Sequence, residues 1–151
     1  MRSAITWQLK SFSELEPEEL YQVLRLRTAV FVVEQNCVFQ DMDNKDQHAL
    51  HLMGWMDGSL AAYTRLFDKG GYYKEASIGR VVTSAAVRGQ GIGKALMQQA
   101  IGTLFERYGK QNIRIGAQCY LDKFYRSLGF VPEGAQYMED GILHVEMVLI
   151  A

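Results

Sequence analysis

A chain of 151 residues, 48% hydrophobic and 22% charged, fits one globular domain spanning residues 1–151, with a core large enough to need no metal or cross-link. Its net charge of −1 excludes the broad basic face that nucleic acid or an anionic membrane surface requires. No apolar run approaches the ~18 residues of a membrane span, the opening MRSAITWQLK lacks an apolar leader segment, and the two cysteines, Cys37 and Cys119, stand far apart, so a reduced, cytoplasmic chain is expected.

The alternation in AITWQL (4–9) predicts a first strand. Pro17 opens a helix where its missing N–H costs nothing. Leu20, Val23, Leu24, Val30 and Phe31 continue the helical spacing to about Glu34, with a break near Arg27. QDMDNKDQHA (40–49) reads as a polar, solvated loop. It hints at a calcium loop, but Asp46 stands where glycine is needed and Leu52 where glutamate is. LHLMGWM and LAAYTRLF flank Asp57-Gly58, a hairpin signal. ASIGRVVT (76–83) is a further strand. A helix over 91–108 carries Ala95, Leu96, Ala100, Leu104 and Phe105 on one stripe. IRIGAQ (113–118) is a strand, and LDKFYRSLGF (121–130) a short helix closed by Gly129. YMEDGILHVEMVL forms a last hairpin turning at Asp140-Gly141.

Between the strand at 76–83 and the long helix lies VVTSAAVRGQGIGKALMQQ (81–99). A glycine-rich turn that opens a helix is a phosphate cradle, because the first helical N–H groups are unpaired and carry the positive end of the dipole. A Walker loop fails at Arg88 and Ala95, and a dinucleotide fingerprint fails at Lys94. What remains is Arg-x-x-Gly-x-Gly at Arg88, Gly91 and Gly93, which alone is equally a turn without a ligand.

The stretch GRVVTSAAVRGQGIGKALM (79–97), followed by IRIGAQCYLDKFYRSLGFV (113–131), resembles the GNAT superfamily of acetyl-CoA-dependent N-acetyltransferases. RTAVFVVEQNCVFQDMD (27–43), HLMGW (51–55) and GAQ (116–118) resemble its ElaA branch. The resemblance implies an α/β fold: a mixed, twisted sheet with helices on both faces and two central parallel strands splayed apart. It implies acetyl-CoA as cosubstrate, no metal, and direct transfer to a small-molecule or peptide amine. By position, backbone groups of Val81, Val82 and Thr83 would hold the pantetheine arm. Arg88, Gly89, Gln90, Gly91, Ile92, Gly93 and Lys94 would hold the pyrophosphate, although Lys94 reads equally as a solvated helix residue. Many members carry Asn seven residues before the catalytic tyrosine; here it is Gln118, which keeps the amide with a different reach.

Tyr125 is the expected acid for the departing thiolate, against a packing role like that of its neighbours Phe124 and Phe130. The strand 77–83 offers no carboxylate base, leaving Glu34, His51, His48, Glu75 or water. Cys119 reads as a bystander thiol, and the histidines are not spaced as a zinc site. The alternative is an acyl-CoA-binding regulatory module without turnover. The acceptor and the assembly, a homodimer included, stay open.

Overall fold

The structure, a computed structural model, describes residues 4–151; the first three residues of the stretch searched for a leader lie outside them. The strands are β1 (Thr6–Ser11), β2 (Leu50–Met56), β3 (Ser59–Phe67), β4 (Ala76–Thr83), β5 (Ile113–Gln118), β6 (Val131–Pro132), β7 (Tyr137–Glu139) and β8 (Ile142–Leu149). The helices are α1 (Pro17–Arg27), α2 (Ile92–Tyr108) and α3 (Asp122–Ser127). One mixed sheet runs β1-β2-β3-β4-β5-β8-β6, with β7 on β8, and among the described residues only β4 and β5 are parallel.

Local chemistry accounts for most element boundaries. Pro17 is the first residue of α1, and the Glu16 N–H donates to Glu19 Oε1 at 2.7 Å to close a capping box. Both hairpins turn as type I′ requires, with φ of 51° and 77° at Asp57-Gly58 and 50° and 76° at Asp140-Gly141. The break expected near Arg27 takes a specific form: Thr28–Glu34 continue as a π-helical turn. Thr28 Oγ1 donates back to Leu24 O at 2.8 Å, and Val30, Val32 and Val33 crowd a regular α turn.

The sheet is covered on both faces. Val23 of α1 packs with Met53, Tyr63 and Val82. Leu96, Met97, Ala100 and Leu104 of α2 pack on the other face with Leu52, Leu66, Ile78 and Ile115. Met97, absent from the predicted stripe, is fully buried, whereas Ala95 is only half-buried. Ile78 and Val82 are an even number of residues apart on β4 yet serve opposite faces. The cause is a bulge against β3, where the register shifts between Tyr63 and Arg65 and Arg80 takes φ of 49°. One extra residue reverses the side-chain alternation.

The loop 40–49 corrects the sequence reading. Asp41 and Asp46 are buried, not solvated. Arg27 donates to Asp41 at 2.9 Å and to Asp46 at 2.8 Å. Arg65 donates to Asp46 at 2.9 Å and grips Asp43 through two nitrogens, at 2.8 and 2.6 Å. Arg80 donates to Asp41 at 2.8 Å. Three cations thus meet three carboxylates, which is the condition under which so much charge can leave water. The aspartates are committed to the fold and give an acceptor no free charge.

Candidate active site

β4 and β5 pair only at Ala76 with Ile113 and Ser77 with Arg114. Beyond these positions β4 stays with β3, while β5 stays with β8 as far as Gln118 opposite His144. The bulge at Arg80 curls β4 away, so the two strands part and their facing edges keep unpaired backbone groups. A cavity of about 480 Å³ fills the gap. Val81, Val82 and Thr83 line it from β4 and Gln118 from β5. Val30, Phe31 and Glu34 of the π-helical turn close another side, and Tyr125 of α3 faces in beside Tyr120.

The glycine turn lies beyond this enclosure. Arg88 lines the cavity, but Gly89, Gln90, Gly91, Ile92, Gly93 and Lys94 do not; they form the adjoining turn and the start of α2. Gly89 and Gly91 have φ of 82° and 76°, which glycine adopts without strain. No side chain caps α2. Ala95 N–H is the first to bond back, to Gly91 O at 3.1 Å, so the N–H groups of residues 92–94 have no intrahelical acceptor. Lys94 is exposed.

Gln118 donates to Gln35 Oε1 at 3.4 Å, and its own Oε1 is buried without a partner among the described residues. Tyr125 is 6% exposed and packed edge-on to Phe124 and Phe130. Burial, with a lesser contribution from Tyr120, pushes its hydroxyl up to about 12.

The base candidates scatter. Glu34 lines the cavity but accepts from Arg88 Nη1 at 2.6 Å, so an expected base and an expected phosphate ligand hold each other. His51 does not line the cavity. It is fully buried; Nε2 donates to Asp46 O at 2.9 Å and Nδ1 accepts from Tyr63 at 2.7 Å. Burial holds its pKa below the ordinary value, and its geometry is that of a core residue. Glu75 pairs with Arg114 at 2.8 Å, and His48 is exposed and off the cavity. Cys119 is half-buried and does not line it.

Sequence reasoning placed the closing hairpin but gave it no part in the site, and it brings Glu139, Asp140 and His144 to the cavity. Cys37 fastens this end by donating from Sγ to Asp140 O at 3.0 Å. His144 Nδ1 lies 2.7 Å from Ile142 O, and its ring stacks on Tyr137 at 5.7 Å. Nε2 stands 3.7 Å from Glu139 Oε2. The available signal was the pairing partner: β8 brings His144 opposite Gln118, a residue the family resemblance had already singled out.

The acetyltransferase (GNAT) domain family matches residues 11–151. Protein ElaA of Escherichia coli is 41% identical over 145 residues, covering 95% of each chain. An acyl-CoA N-acyltransferase from Pseudomonas aeruginosa superposes with a TM-score of 0.91 at 41% identity, over 96% of this chain and 99% of that one. The solved structure of Escherichia coli ElaA does so with a TM-score of 0.89 at 40% identity, over 96% and 99%. With the parted parallel strands, the Arg-x-x-Gly-x-Gly turn and these likenesses together, the chain belongs to the GNAT acetyltransferase family and is ElaA-like.

Proposed function

We propose that this protein moves the acetyl group of acetyl-CoA directly to an amine. The observation that carries the reading is the parting of β4 from β5 beside a glycine turn that opens α2. Acetyl-CoA fits the residues present. An amide-rich arm can satisfy the open strand edges as an added strand would. The partnerless Gln118 Oε1 offers an acceptor to that arm. The N-terminus of α2 suits phosphates. Arg88 can exchange Glu34 for phosphate at little cost, because their pair is about 40% exposed and such pairs are worth only ~0–1 kcal/mol.

Bound acetyl-CoA supplies an activated carbonyl and a thiolate leaving group. Tyr125 then has one task, to direct its hydroxyl at the sulfur as charge gathers there. At about 12 its pKa lies above the ~8.5 of an ordinary thiol. It therefore stabilises the thiolate by donating a hydrogen bond and keeps its proton. The acceptor is a small-molecule or peptide amine, and the site of action is the cytoplasm. A panel of amines incubated with acetyl-CoA, with released thiol measured, tests the reading. Amine-dependent release is expected. Acetyl-CoA binding without release from any amine would favour a binding module instead, and tighter binding of ATP or NAD than of acetyl-CoA would end the acetyltransferase reading.

A further inference from the structure

We propose that His144 is the general base that takes a proton from the acceptor amine, with Glu139 as its charge partner; this rests on the acetyltransferase reading. An amine is an ammonium at neutral pH and must lose a proton before its nitrogen can attack. Glu34 lines the cavity within 2.6 Å of Arg88, at the end that takes the phosphates, and the histidine first singled out, His51, is sealed in the core away from the cavity. His144 lines the cavity and is 7% exposed, so it faces the space a substrate would fill and little bulk water.

Its tautomer follows from one contact. A backbone carbonyl can only accept, so Ile142 O at 2.7 Å places the ring proton on Nδ1. The lone pair is then on Nε2, the nitrogen beside Glu139 at 3.7 Å. An orienting acceptor on one nitrogen and a free lone pair on the other is the arrangement of a working imidazole base. The carboxylate stabilises the imidazolium that forms. Of the groups facing the ring, Tyr137 on β7 is pushed up to about 12, chiefly by burial and next by Glu139, and stays uncharged. Gln118 on β5 is neutral, and Asp140 belongs to the same turn as Glu139. Of the cations lining the cavity, Arg80 is paired with Asp41, and Arg88 with Glu34 or, once acetyl-CoA is bound, with its phosphates. The nearest charge to Nε2 is therefore negative.

The step balances. The ammonium gives one proton to Nε2, its freed lone pair forms the N–C bond, and the carbonyl π electrons move to oxygen. Re-forming the carbonyl breaks the C–S bond and leaves the electron pair on sulfur. The nitrogen sheds a second proton, which ends on the thiol. His144 returns its proton to water.

The test uses the purified full chain, acetyl-CoA, a strongly basic alkylamine and a weakly basic amine of the hydroxylamine class. In His144→Gln, kcat for the alkylamine should fall ~10²–10⁴-fold, the usual worth of a positioned base, with acetyl-CoA Kd and melting temperature unchanged. The loss should shrink at least ~10-fold for the weakly basic amine, which arrives already neutral. Glu139→Gln removes the anion beside the imidazolium, so kcat for the alkylamine should fall several-fold while the weakly basic amine is spared, a split no packing role would cause. Wild-type turnover in His144→Gln, or an equal loss for both amines, would overturn the proposal. If His144→Gln does not fold, unchanged alkylamine turnover in Glu139→Gln overturns it. Failure of the wild-type chain to release thiol with any amine would instead remove the transferase reading beneath it.

Discussion

Tyr125 was legible in the sequence as a candidate, but its character was not. Its raised pKa comes from burial in a helix seam against Phe124 and Phe130. Tyr125→Phe removes the hydroxyl and keeps the ring, so melting should change little. Loss of a preorganised donor to developing charge should lower kcat ~10²–10³-fold with acetyl-CoA Kd unchanged. Because the phenol ionises only near 12, the wild-type rate should show no fall from this group up to pH ~10, the ordinary tyrosine value. A full rate in Tyr125→Phe returns the residue to packing. Asp46 is the opposite case, read as solvated and found shared between buried Arg27 and Arg65. Asp46→Ala takes one of two carboxylates from each of buried Arg27 and Arg65, leaves the cluster with three cations and two carboxylates, and should cost ~3–5 kcal/mol, read in urea melts. A cost below ~1 kcal/mol, the level of a surface pair, would mean the cluster is solvated after all.

The element that matters most for the site is β4, and its decisive feature is the bulge. ASIGRVVT reads as a plain apolar strand because alternation over eight residues cannot reveal one extra residue in the middle. The bulge needs β3 as its reference, and β3 is found only by folding. The glycine turn is the reverse, with its chemistry local and readable from Arg88, Gly91 and Gly93. Gly93 separates ligand binding from folding. A Cβ there would meet only the Phe124 ring, at 3.7 Å, an ordinary contact. Gly93→Glu should therefore fold and melt near wild type, yet lose measurable acetyl-CoA binding by calorimetry, since it sets a carboxylate against phosphates. Gly91→Pro should be worse, because proline cannot adopt φ of 76°. Unchanged affinity in folded Gly93→Glu would place the phosphates elsewhere.

Stability of the assembled domain should follow both ligand and pH. Acetyl-CoA at 100 times its Kd adds ~2.7 kcal/mol by mass action, hence roughly 5–10 °C in melting temperature for a chain of this size. ATP at the same concentration should add none. Acid should destabilise in two stages. His51 has a lowered pKa, so below ~6.5 the unfolded chain takes up a proton the folded chain refuses, and stability falls as pH falls. Burial acts to raise Asp43 and Asp46, but the arginine hydrogen bonds and charges outweigh it and hold both low. Their contribution is complete above the unfolded value of ~3.9 and is lost as pH drops below it toward the folded values. His51→Gln should flatten the first stage and leave the second. An unaltered slope between pH ~6.5 and ~4 would show that His51 charges freely in the folded protein.

What could be read along the chain was whatever short-range chemistry fixes: the Pro17 helix start, the two Asp-Gly turns, the strand-turn-helix around Gly91, and the second motif around Tyr125. Each rests on neighbours within a few residues, and the two motifs around Gly91 and Tyr125 carried the family resemblance. What required the folded chain depends on groups far apart in sequence. Arg27, Arg65 and Arg80 reach Asp41, Asp43 and Asp46 across 14 to 39 positions, which turned a polar loop into a buried clasp. Gln118 meets Gln35 across 83 positions. His51 and His144 look alike in sequence, each beginning or flanking an apolar strand. Strand pairing put one against Tyr63 in the core and the other opposite Gln118 at the cavity. A charge or an imidazole carries no local mark of whether it will meet a partner or a substrate, because burial and pairing are properties of the surface that closes over it.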